Sequence, residues 1–362
     1  MNDLDKLRKS LDEIDEKMIG LFESRMKISR DVAKVKMQKN LPVFDLKREN
    51  QIIDDRLHKI NDKTLTNCTL LFVQNLMDIS KMEQKKVIEN SLPQKESNFK
   101  DTCLKVAFQG IKGSYSNEAA QNYFGEGNSL VEFERFEDVV LNVLSENCDY
   151  GVLPIENSCA GSVFDVYDLL MKHDVFIVDE YTLHIKHCLL TASNELPKTV
   201  FSHEQALAQC SKFIEIKSMK PVEMGNTAIA AKYVKDQGNR QFGAIASEYA
   251  AQTYGLNIIR SNISNEINNY TRFIVIAKKL KDKAKFSKIY LSFAVKHQPQ
   301  SLYNTLYMVK EFNLTKLESR PSGGFKYTFY LDFEGEISKQ RLNKLIDELG
   351  QSTQNLKLLG AV

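Results

Sequence analysis

From Leu4 to Val35 apolar residues recur at heptad spacing (Leu4, Leu7, Leu11, Ile14, Met18, Leu21, Ile28, Val32, Val35), which predicts one long helix. At about 1.5 Å per residue such a helix runs to roughly 50 Å, longer than a small domain is wide. Its apolar stripe needs a partner, and an intertwined dimer supplies one. Pro42 closes the element, Asp45 can cap a second helix through about Ile60, and a third periodic stretch runs from Leu65 to about Ile88. The segment 1–90 is therefore expected to be an all-helical domain.

Polar residues interrupt these stripes in a pattern. Arg25 stands at an a position of the heptad, where its neighbours are aliphatic. A guanidinium enters such a seam only with an anionic partner, because burying it unpaired costs several kcal/mol. Arg8 and Lys36 are both e positions and flank the seam. In the third helix Ser80 and Gln84 break the stripe of Val73, Leu76, Met77 and Val87 on one face, and Asp45, Arg48 and Glu49 fall in the first turn of the second helix. Any one of these cations alone reads as a surface salt bridge or a snorkelling stem. Together they describe a pocket for a small dianion that carries a hydroxyl.

These residues, with Ile14-Asp-Glu-Lys17, Lys34-Val-Lys36 and Pro42-Val-Phe-Asp45-Leu-Lys-Arg48-Glu49, resemble the all-helical chorismate mutase family from about Leu4 to Val87. The resemblance implies a domain-exchanged dimer in which Arg8 of one chain reaches the pocket of the other. It also implies that Arg25 and Arg48 hold the carboxylates, Glu49 the ring hydroxyl, and Lys36 with Gln84 the ether oxygen, with Asp45 and Ser80 completing the site. The rearrangement of chorismate to prephenate is pericyclic, so it calls for positioning and preorganised charge rather than a nucleophile.

The segment 91–102 is polar and patternless and reads as a linker. Beyond it short apolar runs (Leu104 to Phe108, Gly151 to Ile155, Val175 to Val178, Phe242 to Ala246) alternate with helical patterns, which suggests parallel sheet. Ser116, Ser162, Ser202, Thr227 and Ser247 are expected helix caps, and helix N-termini favour anions.

Four segments stand out here: Gly110-Ile-Lys-Gly-Ser-Tyr-Ser116; Gly151-Val-Leu-Pro-Ile-Glu-Asn-Ser158 with Gly161-Ser162-Val163; Ser202-His-Glu-Gln-Ala-Leu-Ala-Gln-Cys210; and Asn269-Tyr-Thr-Arg-Phe273. Singly each is an ordinary glycine turn, capping box or strand start. Jointly, beside Asn226-Thr-Ala-Ile-Ala-Ala231, they resemble the prephenate dehydratase family over 103–280. The resemblance implies two α/β lobes, akin to periplasmic binding proteins, with the substrate between them. It gives Thr271 the role of acid, Asn157, Ser202 and Gln209 those of its polar partners, and Ser114, Tyr115, Ser116 and Arg272 those of anion ligands. Expelling carbon dioxide and the ring hydroxyl together leaves an aromatic product, so a proton donor and an oriented dianion suffice.

Residues 286–362 read in the order βαββαβ, a ferredoxin-like pattern. This part resembles an ACT domain, with Leu317-Glu-Ser-Arg-Pro321 matching a phenylalanine-binding motif and Gln300-Ser301-Leu302 standing where Gly-Ala-Leu is usual. Feedback by phenylalanine through Leu302, Glu318, Ser319 and Arg320 is what the resemblance implies.

The expected fold class is thus multidomain: all-α, two-lobed α/β, then α+β. A formal charge of +2 gives no global field for nucleic acid or a membrane surface. The six cysteines form no C-x-x-C pair, and the charged start Met1 to Ser10 has no apolar signal core, so a cytoplasmic homodimer or higher homo-oligomer without metal or cofactor is expected. His184 and His187 mimic an H-x-x-H metal pair but read as structural strand residues; Gly125-Glu-Gly127 lacks the rest of a dinucleotide fingerprint. Two alternatives stay open: an arogenate dehydratase, and a non-catalytic dimerisation and binding protein.

Overall fold

The computed structural model describes residues 3–39, 46–91, 103–266, 268–321 and 327–362. The expected linker beyond Ser91, together with Pro42 and Asp45, lies outside the described residues. The chain divides into two compact units, Met1–Asn98 and Phe99–Val362.

In the first unit the long helix forms as expected: α1 (Asp3–Gln38) is followed by α2 (Leu46–Leu57), a 3-10 turn at Lys63–Leu65 and α3 (Thr66–Ser91). Both α1 and α2 pack on α3. Helix α1 does so through Met26, Ser29 and Ala33, a face offset from the heptad seam. The seam itself stays uncovered within the chain, with Leu7 64% and Leu21 71% exposed. Covering such a side chain stabilises by roughly 1.5–3 kcal/mol.

The second unit begins with β1 (Lys105–Gln109), β2 (Ser129–Phe133) and β3 (Tyr150–Asn157), which run parallel, as their apolar character predicts. Helices α4 (Tyr115–Phe124), α5 (Phe136–Leu144) and α6 (Phe164–Lys172) pack on them, β4 (Gly161–Ser162) folds back on β3, and β5 (Phe176–His184) completes this lobe's first pass. The chain then crosses to a second sheet of β6 (Cys188–Thr191), β7 (Thr199–Ser202), β8 (Lys220–Glu223), β9 (Phe242–Ala246) and β10 (Asn257–Arg260). Helices α7 (Glu204–Gln209), α8 (Ser211–Ile216), α9 (Thr227–Gln237) and α10 (Glu248–Tyr254) belong to this second lobe.

The chain returns as β11 (Tyr270–Ala277), which inserts antiparallel between β3 and β5. The expectation of parallel sheet therefore holds for β1 to β3 and β7 to β9, whereas β6, β10 and β11 run antiparallel. The two crossings, 185–187 and 261–269, bond to each other: the Ile185 N–H donates to the Asn269 carbonyl (2.8 Å) and the Ile263 N–H to the His187 carbonyl (3.0 Å).

The C-terminal part is β12 (Lys285–Ala294), α11 (Ser301–Met308), β13 (Asn313–Pro321), β14 (Tyr327–Ser338), α12 (Lys339–Ser352) and β15 (Gln354–Ala361), the βαββαβ order that was expected. Its antiparallel strands lie in the order β13-β14-β12-β15 and continue into the first lobe's sheet where Gly360 meets Ile177. A Cβ at Gly360 would fall 2.4 Å from the Ile177 carbonyl oxygen, so only glycine permits that junction.

Candidate active sites

In the helical unit, α3 carries Ser80 and Gln84 toward α1. One Arg25 guanidinium nitrogen donates to the Leu76 carbonyl (2.9 Å) and to the Ser80 hydroxyl. Gln84 donates to Ser29 (3.3 Å), which in turn donates to the Ser80 carbonyl (3.1 Å). The Gln84 carboxamide oxygen is buried without a partner among the described residues. Burial, and after it the neighbouring Arg56, lower the Arg25 pKa from its ordinary value, which marks a cation held among neutral groups and another cation. That local excess of positive charge suits a dianion. Lys36 lies half-buried on the same helix, Arg8 is exposed and bridges to Asp5, and exposed Arg48 bonds Gln51. The structure thus gathers Arg25, Ser80 and Gln84, and leaves Arg8 far from them along α1. Asp45 and the Glu49 side chain lie outside what is described.

In the second unit a cleft of about 340 Å³ opens between the lobes, near the small end of ligand pockets. Its floor is the β3–β11 pair. Asn157 lies directly opposite Thr271, so both side chains share a face. A bulge at Ile155, where Arg272 pairs with Glu156 but Phe273 with Pro154, brings Pro154 onto that same face.

The Asn157 carboxamide is locked by its own turn, since its Oδ1 accepts the backbone N–H groups of Cys159 (3.0 Å) and Ala160 (2.9 Å). Its Nδ2 then donates to Thr271 Oγ1 (2.9 Å) and to Asn269 Oδ1 (2.7 Å). With an N–H already at its oxygen, Thr271 keeps its own proton free to give.

The cleft walls come from helix starts on both lobes. Ser114 caps α4 by accepting from the Asn117 N–H, Asn226 caps α9 by accepting from the Ile229 N–H, and Ser247 caps α10 as expected. Ser114, Tyr115, Ser116, Asn226 and Thr227 all line the cleft. The expected caps Ser116 and Thr227 are thus displaced by the residues before them. Ser162 does not cap α6, and α7 is capped by His203 rather than Ser202. Gly110 also lines the cleft at φ +98°, with an added Cβ 3.1 Å from Ser114 Oγ, so this turn needs glycine.

Two expected site residues are elsewhere. Ser202 is fully buried and donates to the Ile245 carbonyl (2.6 Å), tying β7 to β9 beneath α7 without lining the cleft. Arg272 follows Thr271 on a strand and so points to the opposite face. There it pairs with Glu156 (2.7 Å), Glu180 (3.2 Å) and Asp332 (3.1 Å), and Lys288, Lys316 and Tyr290 extend the network. Burial opposes its charge, but Asp332, Glu180 and Glu156 hold the guanidinium above its ordinary pKa. Arg272 is therefore a joint between β11 and the C-terminal strands, and no Lys or Arg stands among the described residues that line the cleft. The starts of α4 and α9 flank the cleft instead, and helix N-termini favour anions.

His187, Gln205, Asn226 and Asn269 also line the cleft: the last three lie in segments singled out above without being named as site residues, and His187 lies in none of them. His187 was read as structural in a strand, but β5 ends at His184, which stacks on Tyr270. The segments are far apart in sequence, and only the packing of the lobes brings these four side chains to one cleft.

Of the effector residues, Leu302 lies with Ala294, Ser301, Tyr327 and Phe329 on a hollow of the C-terminal part. Glu318 accepts from Ser162 (2.5 Å) and Lys316, and Arg320 pairs with Asp168, while Ser319 is exposed on the same strand. Among the described residues that line this hollow with Leu302, none is from β13.

Glu118 on α4 is the most perturbed carboxyl near the cleft. Burial pushes it up to about 7, against the Ser247 hydroxyl bond, with Glu248 adding to the rise and Lys186 opposing it. A carboxyl raised in the folded state contributes stability that is whole below about pH 4.5 and is lost as pH climbs through about 7. Glu118→Gln should therefore stabilise at pH 8 by on the order of 2 kcal/mol and be neutral at pH 4.5. Urea melts at both pH values check this; equal differences at both would refute it.

The description chorismate mutase type II matches residues 7–85, and prephenate dehydratase matches residues 106–281. A bifunctional chorismate mutase/prephenate dehydratase from Aquifex aeolicus is 34% identical over 100% of this chain and 98% of its own length. Among solved structures, GqqA, described as a novel type of quorum quenching acylase, is 31% identical at a TM-score of 0.63 over 71% of this chain and 97% of its own. Prephenate dehydratase from Arthrobacter aurescens in complex with L-Phe is 22% identical at a TM-score of 0.64, over 71% of this chain and 89% of its own.

Proposed function

Because the chain belongs to the bifunctional chorismate mutase/prephenate dehydratase family, we propose that its two activities reside in the two sites described above. The mutase belongs to 1–90 and the dehydratase to 103–280, with 286–362 regulatory. The chain is an enzyme of phenylalanine biosynthesis.

At the helical site Arg25, fixed by Leu76 and Ser80, holds a chorismate carboxylate, and Gln84 with Lys36 meets the negative charge that grows on the ether oxygen. Arg8 is distant from Arg25 along α1, so it serves a second chain's pocket. The uncovered heptad seam supports that dimer.

At the cleft, prephenate lies with its carboxylates toward the α4 and α9 N-termini. As the carbon–carboxylate bond breaks, its electron pair closes the aromatic ring; the ring hydroxyl leaves with its bonding pair and takes the Thr271 proton to become water. Asn157 supports the charge left on Oγ1, and solvent returns the proton. The observation that carries this reading is the Asn157 N–H donated to Thr271. That arrangement suits a proton donor, whereas the nucleophile of an acyl transfer needs a base at the same place. Incubating the purified chain with chorismate, prephenate and arogenate tests it: prephenate should be turned over well ahead of arogenate, and indifference to both would overturn the dehydratase assignment.

Phenylalanine is the proposed effector. Gln300 supports the idea that 286–362 keeps an effector domain's backbone, because it holds φ +67° immediately before α11, where the family motif has glycine. A left-handed non-glycine residue costs about 1–2 kcal/mol, partly offset by the larger unfolded entropy of glycine. Gln300→Gly should therefore stabilise by about 1 kcal/mol and tighten phenylalanine binding. Thermal melts with calorimetric titration check both; a destabilised variant would count against it. A cytoplasmic location is part of the reading, since all six cysteines are free thiols.

A further inference from the structure

Hydrogen-bond direction through the cleft is fixed by the backbone and ends on a histidine. The two backbone N–H groups on Asn157 Oδ1 leave only its Nδ2 to face Asn269, so the Asn269 atom there must be oxygen. Asn269 Nδ2 must then donate to Gln209, through Gln209 Oε1 at 3.1 Å. His187 Nε2 stands 2.9 Å from that same oxygen and can bond it only as N–H. His187 Nδ1 is left to accept, and Tyr115 Oη lies 2.8 Å away, with the Lys186 carbonyl as its other acceptor at 3.2 Å.

The members of this chain sit on different parts of the fold. Asn157, Thr271 and Tyr115 belong to the first lobe, Gln209 ends α7 of the second, and His187 and Asn269 lie on the two crossings between them. The Gln209 carbonyl also accepts from the Asn265 N–H at 2.6 Å on the second crossing. With Oε1 held by two donors, the Gln209 carboxamide is oriented so that its NH2 is the end left for the cleft.

Resting on the dehydratase reading above, we infer that His187 is a positioning residue for that reaction. Held as the neutral Nε2–H tautomer, it orients Gln209 and joins the two lobes at the hinge. His187 is 2% exposed, and burial lowers its pKa, which keeps the ring neutral while it does so. Glutamine can replace the Nε2–H with its own N–H at similar reach, whereas leucine fills the space without a donor.

The test uses the full chain. His187→Leu should lower dehydratase kcat/KM by about 100-fold, leave chorismate turnover within two-fold, and His187→Gln should recover at least ten-fold of the loss. In the wild-type chain labelled with 15N-histidine, one ring should show a protonated Nε2 and a bare Nδ1, a signal absent from His187→Gln. Wild-type dehydratase activity in folded His187→Leu, an equal loss in both variants, or an Nδ1–H tautomer would each overturn the inference. A wild-type chain that leaves prephenate unchanged would overturn the dehydratase reading, and this with it.

Discussion

Thr271→Val should lower dehydratase turnover by about a thousand-fold, roughly 4 kcal/mol of transition-state stabilisation, while chorismate turnover stays at the wild-type level. Valine preserves the β-branched shape at a position only 9% exposed, so the strand and its pairing with Asn157 persist and only the proton donor is lost. Thr271→Ser should retain part of the activity, because its Oγ can occupy the same place beside Asn157 Nδ2. The independence of the mutase follows from the division of the chain into separate compact units. Steady-state assays of both reactions on each variant, with a melt to verify folding, decide the matter. Thr271→Val with near wild-type dehydratase activity, or a parallel fall in both reactions, would remove Thr271 from its role.

Arg25→Ala should cost the mutase at least a hundred-fold in kcat/KM, about 2.7 kcal/mol, with prephenate turnover unaffected. Its guanidinium reaches the Leu76 carbonyl and Ser80 and still has donors left for a carboxylate. Arg25→Lys should recover only a small part, since an ammonium cannot bond these groups and fork onto a carboxylate in the same plane. Neither change should greatly unsettle the fold, because the cation pairs with no carboxylate in the described contacts and lies near Arg56. Unchanged chorismate turnover in folded Arg25→Ala would refute the assignment.

Local pattern carried much of this molecule. The heptad foretold α1, its polar interruptions foretold Arg25, Ser80 and Gln84 as one cluster, and the C-terminal βαββαβ order was legible in the sequence. These features depend on neighbours within a few residues, where helical and strand periods act directly. Strand parity also implied that Thr271 and Arg272 cannot both enter one cleft, a constraint that the motif read as a unit obscured.

What parity could not decide is which of the two faces substrate. That depended on the C-terminal strands presenting Asp332 to Arg272, and on the bulge at Ile155 that turns Pro154 and Asn157 to one side. Which face of α1 packs on α3, whether Ser202 lines the cleft or braces β9, and that His187 meets Gln209 and Tyr115 were likewise settled only when distant segments closed on one another. A hydrogen bond between groups far apart in sequence leaves no period to read. Its geometry exists only once the lobes and sheets have packed, and so sequence alone specified the parts of each site while tertiary structure chose their direction.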